Sequence, residues 1–179
     1  MNLLSKFIEA LVFVEKELDG ITITSDRPNI KAAATLLAVS VDHGQGIRFL
    51  ISNGAYPSAA ALMRCTFETY IRAMWIWKCA NRKQIDTFIN KDKIISVNGS
   101  SISFKELVKE VEFSHEFPAY FSIIQTKVWS GLNSLTHGGN LQLAQNFDGK
   151  RIRHCYDDKL IDEMIQFTTM LACMAFSVY

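Results

Sequence analysis

Two short stretches hold the residues best suited to chemistry. In "LNSLTH", Asn133 and His137 stand four apart, so on a helix they lie side by side on one face. The segment reads as a helix that stops at His137 on the pair Gly138–Gly139, with Gly138 supplying the left-handed cap residue. A histidine there can simply cap the helix end, where the dipole favours its protonated form. It can equally serve as general acid or base, or touch a phosphate, beside Asn133. In "ALMRCTFETYIRAMWIWKCA", Arg64, Glu68 and Arg72 repeat every four residues, and Trp75 and Cys79 continue the stripe. Glu68 can pair with both arginines. One reading is a solvated face with two pairs, each worth a few tenths of a kcal/mol. A second is a polar cleft in which Arg64 or Arg72 binds an anion, because guanidinium forks onto phosphate or carboxylate. A third is a contact between two copies.

Weaker candidates follow. His43 shares a helix face with Leu36, Val39, Ile47 and Leu50, which reads as a core histidine bonded to a neighbour or as part of a ligand site. Gly44 and Gly46 beside it cost a helix ~1 kcal/mol each relative to alanine, so they imply close packing or a bend. "KRIRH", Lys150 to His154, is a basic run that reads as a solvated loop or a set of phosphate contacts. Cys65, Cys79, Cys155 and Cys173 form no CxxC pair, so neither zinc nor a disulfide scaffold is expected. No phosphate-loop, dinucleotide-binding, metalloprotease or hydrolase signature is present, and no cofactor is implied.

These side chains must be positioned by helices. Apolar residues recur with helical period nearly throughout. The first helix is expected over Leu3–Leu18, closed by Gly20. "SDRPN" opens the second, with Pro28 in its first turn, and Asn53-Gly54 stops it. Pro57 starts a third helix that is apolar over most of its surface, the pattern of the central helix of a bundle. The tight Gly54–Pro57 turn requires the second and third helices to pack antiparallel. A short helix is expected over Gln84–Asn90. "IISVNGSSIS" is the one strand-like patch, with a small β-hairpin expected near Asn98. Ser103 and Glu106 form a capping box, Pro118 ends the helix they open, and a helix of roughly Ser122 to His137 follows. Asp157 or Asp158 caps the last helix.

The whole, residues 1–179, reads as one all-α domain, an antiparallel bundle of five or six helices. Nineteen Lys and Arg against eighteen Asp and Glu give a net charge of +1, so no global field drives binding to nucleic acid or acidic membrane. Nothing approaches the ~18 consecutive apolar residues of a membrane span. The acidic residues of the first twenty positions argue against a signal peptide. A reduced, cytoplasmic setting is therefore expected. The uncharged run from Gln166 to Tyr179 suggests a buried interface or a chain that continues.

The two stretches together, "AAALMRCTFETYIRAMWIWKCA" and "WSGLNSLTHGGNLQ", resemble an uncharacterised group of bacterial helical proteins. Its pattern is "LxRxxFExxxRxxWL" followed by "LNxxTHxG". More distantly, the organisation resembles the HEPN superfamily of helical bundles, often dimers, many of them metal-independent ribonucleases of defence and toxin–antitoxin systems. That motif pairs an arginine and a polar residue with a histidine. Asn133 and His137 fit it, but Leu132 occupies the arginine position. The resemblance implies a HEPN-like homodimer that is a non-catalytic binding module, defence-associated. One alternative is a ribonuclease toxin using His137 and Asn133 with Arg64 or Arg72 from the third helix. Another is a sensor of a small anionic ligand, with Arg64, Glu68, Arg72, Trp75 and His43 around its site and Trp75 or Trp129 capping the pocket.

Overall fold

The structure is a computed structural model describing residues 2–179. Eight α-helices occur among the described residues: α1 (Leu3–Leu18), α2 (Pro28–Ser52), α3 (Tyr56–Lys78), α4 (Arg82–Lys91), α5 (Phe104–Ser114), α6 (Tyr120–Thr136), α7 (Asn140–Ala144) and α8 (Asp158–Phe176). The fold is all-α.

Helix starts follow local chemistry. Asn2, Asn81, Ser103 and Asp157 each accept a backbone N–H of the first turn, and Asn81–Gln84 and Ser103–Glu106 are reciprocal capping boxes. Pro28 and Pro57 sit in first turns, where a missing N–H is harmless. α6 has no cap of its own. Glu112 of α5 supplies it: its carboxylate accepts the Ser122 N–H at 2.7 Å and the Ser122 hydroxyl.

α3 is the central helix, with twelve buried residues among its 23. α2 packs against it antiparallel. Asn29 bonds the Trp77 carbonyl, Ser40 bonds the Thr66 carbonyl and Gly46 lies against Leu62, so the α3 partner descends as α2 ascends. One core cluster gathers Phe67, Tyr70, Ile71 and Met74 with Leu107, Val108 and Val111 of α5 and Phe121 of α6. A second gathers Phe7, Leu11, Ile47, Met63, Leu132, Leu135 and Met164. Each buried side chain of this size contributes ~1.5–3 kcal/mol, so α3, which feeds both clusters, is held on every side.

The helix count exceeds the five or six expected, and the hairpin does not form. α7 spans five residues, too few to show a period in the sequence. Near Asn98 there is a single antiparallel bridge, Ile95 with Ser101, around a turn closed by the Ser96 N–H on the Ser100 carbonyl. Val97 is exposed there, the serine hydroxyls bond each other, and Ile94 and Ile102 pack against the helical core, so the segment is held by that packing and a single bridge and not by a ladder. A similar lone bridge, Phe147 with Ile152, closes the basic loop.

Candidate functional site

α3 and α6 run antiparallel and bring two four-residue stripes face to face. Thr136 bonds the Ala61 carbonyl at 3.2 Å, Phe67 meets Trp129, and Tyr70 meets Phe121. On α3 the stripe is Arg64, Glu68, Arg72. On α6 it is Trp129, Asn133, His137.

Arg64 lies where they meet. Its Nε donates to Glu68 Oε1 at 2.8 Å. Its guanidinium carbon sits 4.9 Å from the centre of the Trp129 ring, and Trp129 stacks on Phe104 at 4.4 Å. Its Nη1 meets His137 Nε2. A guanidinium has donors only, so Nε2 must accept that bond, which leaves Nδ1 as the donor of the ring. The cation over an indole face is itself favourable by ~0.5–2 kcal/mol. Arg64 is thus fixed in place while Nη2 keeps its donors free. His137 is exposed. Asn133 Oδ1, one turn below, is buried without a protein donor.

The left-handed cap at Gly138 holds His137 in this position. Gly138 has φ +69°, and the Gly139 N–H returns to the Ser134 carbonyl at 2.8 Å, the six-to-one bond of a Schellman motif. Gly139 is required for a second reason: a Cβ there would fall 2.6 Å from Ser134 Oγ and 3.1 Å from its Cα.

Glu68 joins Arg64 to Arg72. Its second oxygen accepts Arg72 Nη2 at 2.9 Å. Side-chain exposure falls from 38% at Arg72 to 23% at Arg64 and 16% at Glu68, so this is a partly buried triad and not a solvated face.

Trp75 and His43 lie elsewhere. Trp75 is fully buried, and its Nε1 donates to Glu110 Oε2 at 2.6 Å. His43 shares the α2 face of Ser40 and Gly46, whose partners are Thr66 and Leu62. At ~100° per residue those positions are about 200° around α3 from Arg64, so His43 faces the opposite side. Burial lowers its pKa, Asp42 opposing, and its Nδ1 has no protein partner. Lys150 and Arg151 project from the basic loop, which Asp148 ties by accepting both their backbone N–H groups and pairing with Arg153. Of the two tryptophans offered by the sequence as caps for a pocket at the charged stripe, Trp129, four before Asn133 on the same face, is the one that meets Arg64. Among the described residues no cluster of three His, Cys, Asp or Glu has metal-binding geometry, and no helix is long and apolar enough to cross a membrane.

Residues 37–179 match a family of unknown function, DUF6988, and this span includes both stripes. The chain belongs to that family. No curated protein and no solved structure matches the chain.

Proposed function

We propose that this DUF6988 protein is a HEPN-like binding domain that engages an RNA phosphate at the rim where Arg64 and His137 meet. The contact between Arg64 Nη1 and His137 Nε2 supports the reading. It fills, from α3, the arginine position that Leu132 leaves open in the sequence around His137. The free Nη2 donors of Arg64 suit a phosphate oxygen, and the buried Asn133 acceptor suits a ribose hydroxyl. Fluorescence anisotropy with a labelled single-stranded RNA tests it. Arg64→Gln and His137→Ala should both weaken binding, and Arg64→Gln should flatten the salt dependence by about one phosphate contact. Wild-type binding no tighter than that of both variants would refute it.

One observation favours cleavage as a second reading: the exposed imidazole is held by a cation through an accepting Nε2. After release from Arg64, that lone pair can take the proton of a 2′-hydroxyl. The 2′-oxygen then attacks phosphorus, the 5′-oxygen departs with a solvent proton, and a 2′,3′-cyclic phosphate results. Arg64 would stabilise the charge gathered on the phosphoryl oxygens. Incubation of RNA with wild type and His137→Ala in EDTA decides it, since equal absence of cleavage excludes this reading while leaving the binding reading intact.

A further inference from the structure

The far end of the α3 stripe opens into a cleft of about 850 Å³ that is separate from the His137 rim. Its walls come from α2, α3, α4 and the 92–102 loop. Arg72 faces it. Glu68 occupies only Nη2 of Arg72, so Nε and Nη1 are available. Thr69 lines the cleft and is 9% exposed. Thr66 bonds its hydroxyl back to the Leu62 carbonyl, whereas Thr69 makes no such bond and can donate to or accept from an occupant. Lys93 adds a second cation at the mouth, against one carboxylate, Asp92. Asp92 closes α4 in a left-handed conformation, φ +51°, with its N–H on the Phe88 carbonyl, so this wall is a fixed turn. The half-buried Leu36, Phe88 and Ile102 add an apolar surface to the same lining.

One forked cation beside a hydroxyl, in a cleft that also has a hydrophobic wall, matches an amphipathic anion. Inorganic phosphate would leave the wall wet, and a neutral hydrocarbon would leave Arg72 without an acceptor. We infer that this cleft binds a small organic anion with an apolar body, of the aryl or acyl carboxylate and sulfonate class. The anionic head sits between Arg72 and Thr69, and the body lies on Leu36, Phe88 and Ile102. The inference does not depend on RNA engagement at His137.

The test is a fluorescence titration with the aromatic sulfonate 8-anilinonaphthalene-1-sulfonate. The probe should bind the wild type at one saturable site. Arg72→Gln, which removes the charge-assisted bonds, should weaken it about tenfold or more. Ser101→Trp, an exposed lining position, should block it by filling the cleft without touching the core. Lys159→Gln, an exposed position on α8 away from the cleft, should leave it unchanged. Thermal melts confirm that each variant is folded, and Arg72→Lys serves if Arg72→Gln is not. Absence of saturable binding, or wild-type affinity in either the Arg72 or the Ser101 variant, overturns the inference, as does equal loss in Lys159→Gln.

Discussion

Glu112 should be worth more to this fold than its place on a helix surface suggests. It is 7% exposed and caps a helix that is not its own, through the backbone and the hydroxyl of Ser122. Glu112→Ala removes two hydrogen bonds to a charged acceptor, each worth ~1.5 kcal/mol at the low end. It also removes buried methylene surface at ~0.8 kcal/mol per group. Relief from burying a carboxylate offsets part of this. The net expectation is a loss of about 3 kcal/mol. For a chain of this length that is a fall in Tm of roughly 6–12 °C. Glu112→Gln keeps the shape and one good acceptor, so about 1 kcal/mol is expected from the lost charge. Ser122→Ala keeps the backbone bond and should cost a similar amount. Calorimetry on both singles and on the Glu112→Ala, Ser122→Ala pair gives the coupling. The pair should cost less than the sum of its singles by about 1 kcal/mol. A Glu112→Ala protein melting within a degree of wild type, or strict additivity, would refute the cross-helix cap.

Other expectations are more local. Gly139→Ala should destabilise by about 1–3 kcal/mol, because the new methyl meets the Ser134 main chain as well as its side chain, and Gly138→Ala by about 1 kcal/mol through left-handed strain alone. Melts of the two variants order them, and a Gly139→Ala no worse than Gly138→Ala would contradict the close approach. His43 and His115 have pKa values lowered chiefly by burial; a backbone bond to Met74 opposes the shift at His115 and Lys78 reinforces it. The unfolded chain therefore binds protons first, at about 6.5. The stability contribution is full above that pH and is lost as pH falls through the lower folded values. Tm should drop between pH 7 and 5, and the double variant His43→Gln, His115→Gln should flatten that slope; an unchanged slope would disprove the linkage.

The long helices were readable because their signals are local and repeated. The Leu3–Leu18 period, the first-turn prolines and the Ser103–Glu106 box each act within one or two turns, and each forms as expected. The four-residue spacings of Arg64–Glu68–Arg72 and of Asn133–His137 were visible too. That the two stripes face each other was not, because it depends on the antiparallel packing of α3 on α6 across some 70 residues of chain. Trp75 shows the limit in the other direction. By spacing it extends the charged stripe, yet a bond to Glu110 on α5 turns it into the core. The strand-like run near Asn98 makes one bridge and no hairpin, its Ile94 and Ile102 packing instead on a helical core that only the fold assembles.

The carboxylate of Glu68 has a consequence for communication within the molecule. It divides two oxygens between two cations, and it cannot give both to Arg64 while one is held by Arg72. Any anion that draws Arg72 away releases an oxygen to Arg64, which then has less reason to remain against His137. Linkage makes the effect reciprocal: whatever occupies Arg64 changes the affinity at Arg72 by the same factor. The ceiling is the worth of one hydrogen bond between charged groups, ~1.5–3 kcal/mol, or roughly a tenfold to hundredfold coupling. Two surfaces about two helical turns apart are therefore thermodynamically joined by a single side chain, with no movement of the backbone required.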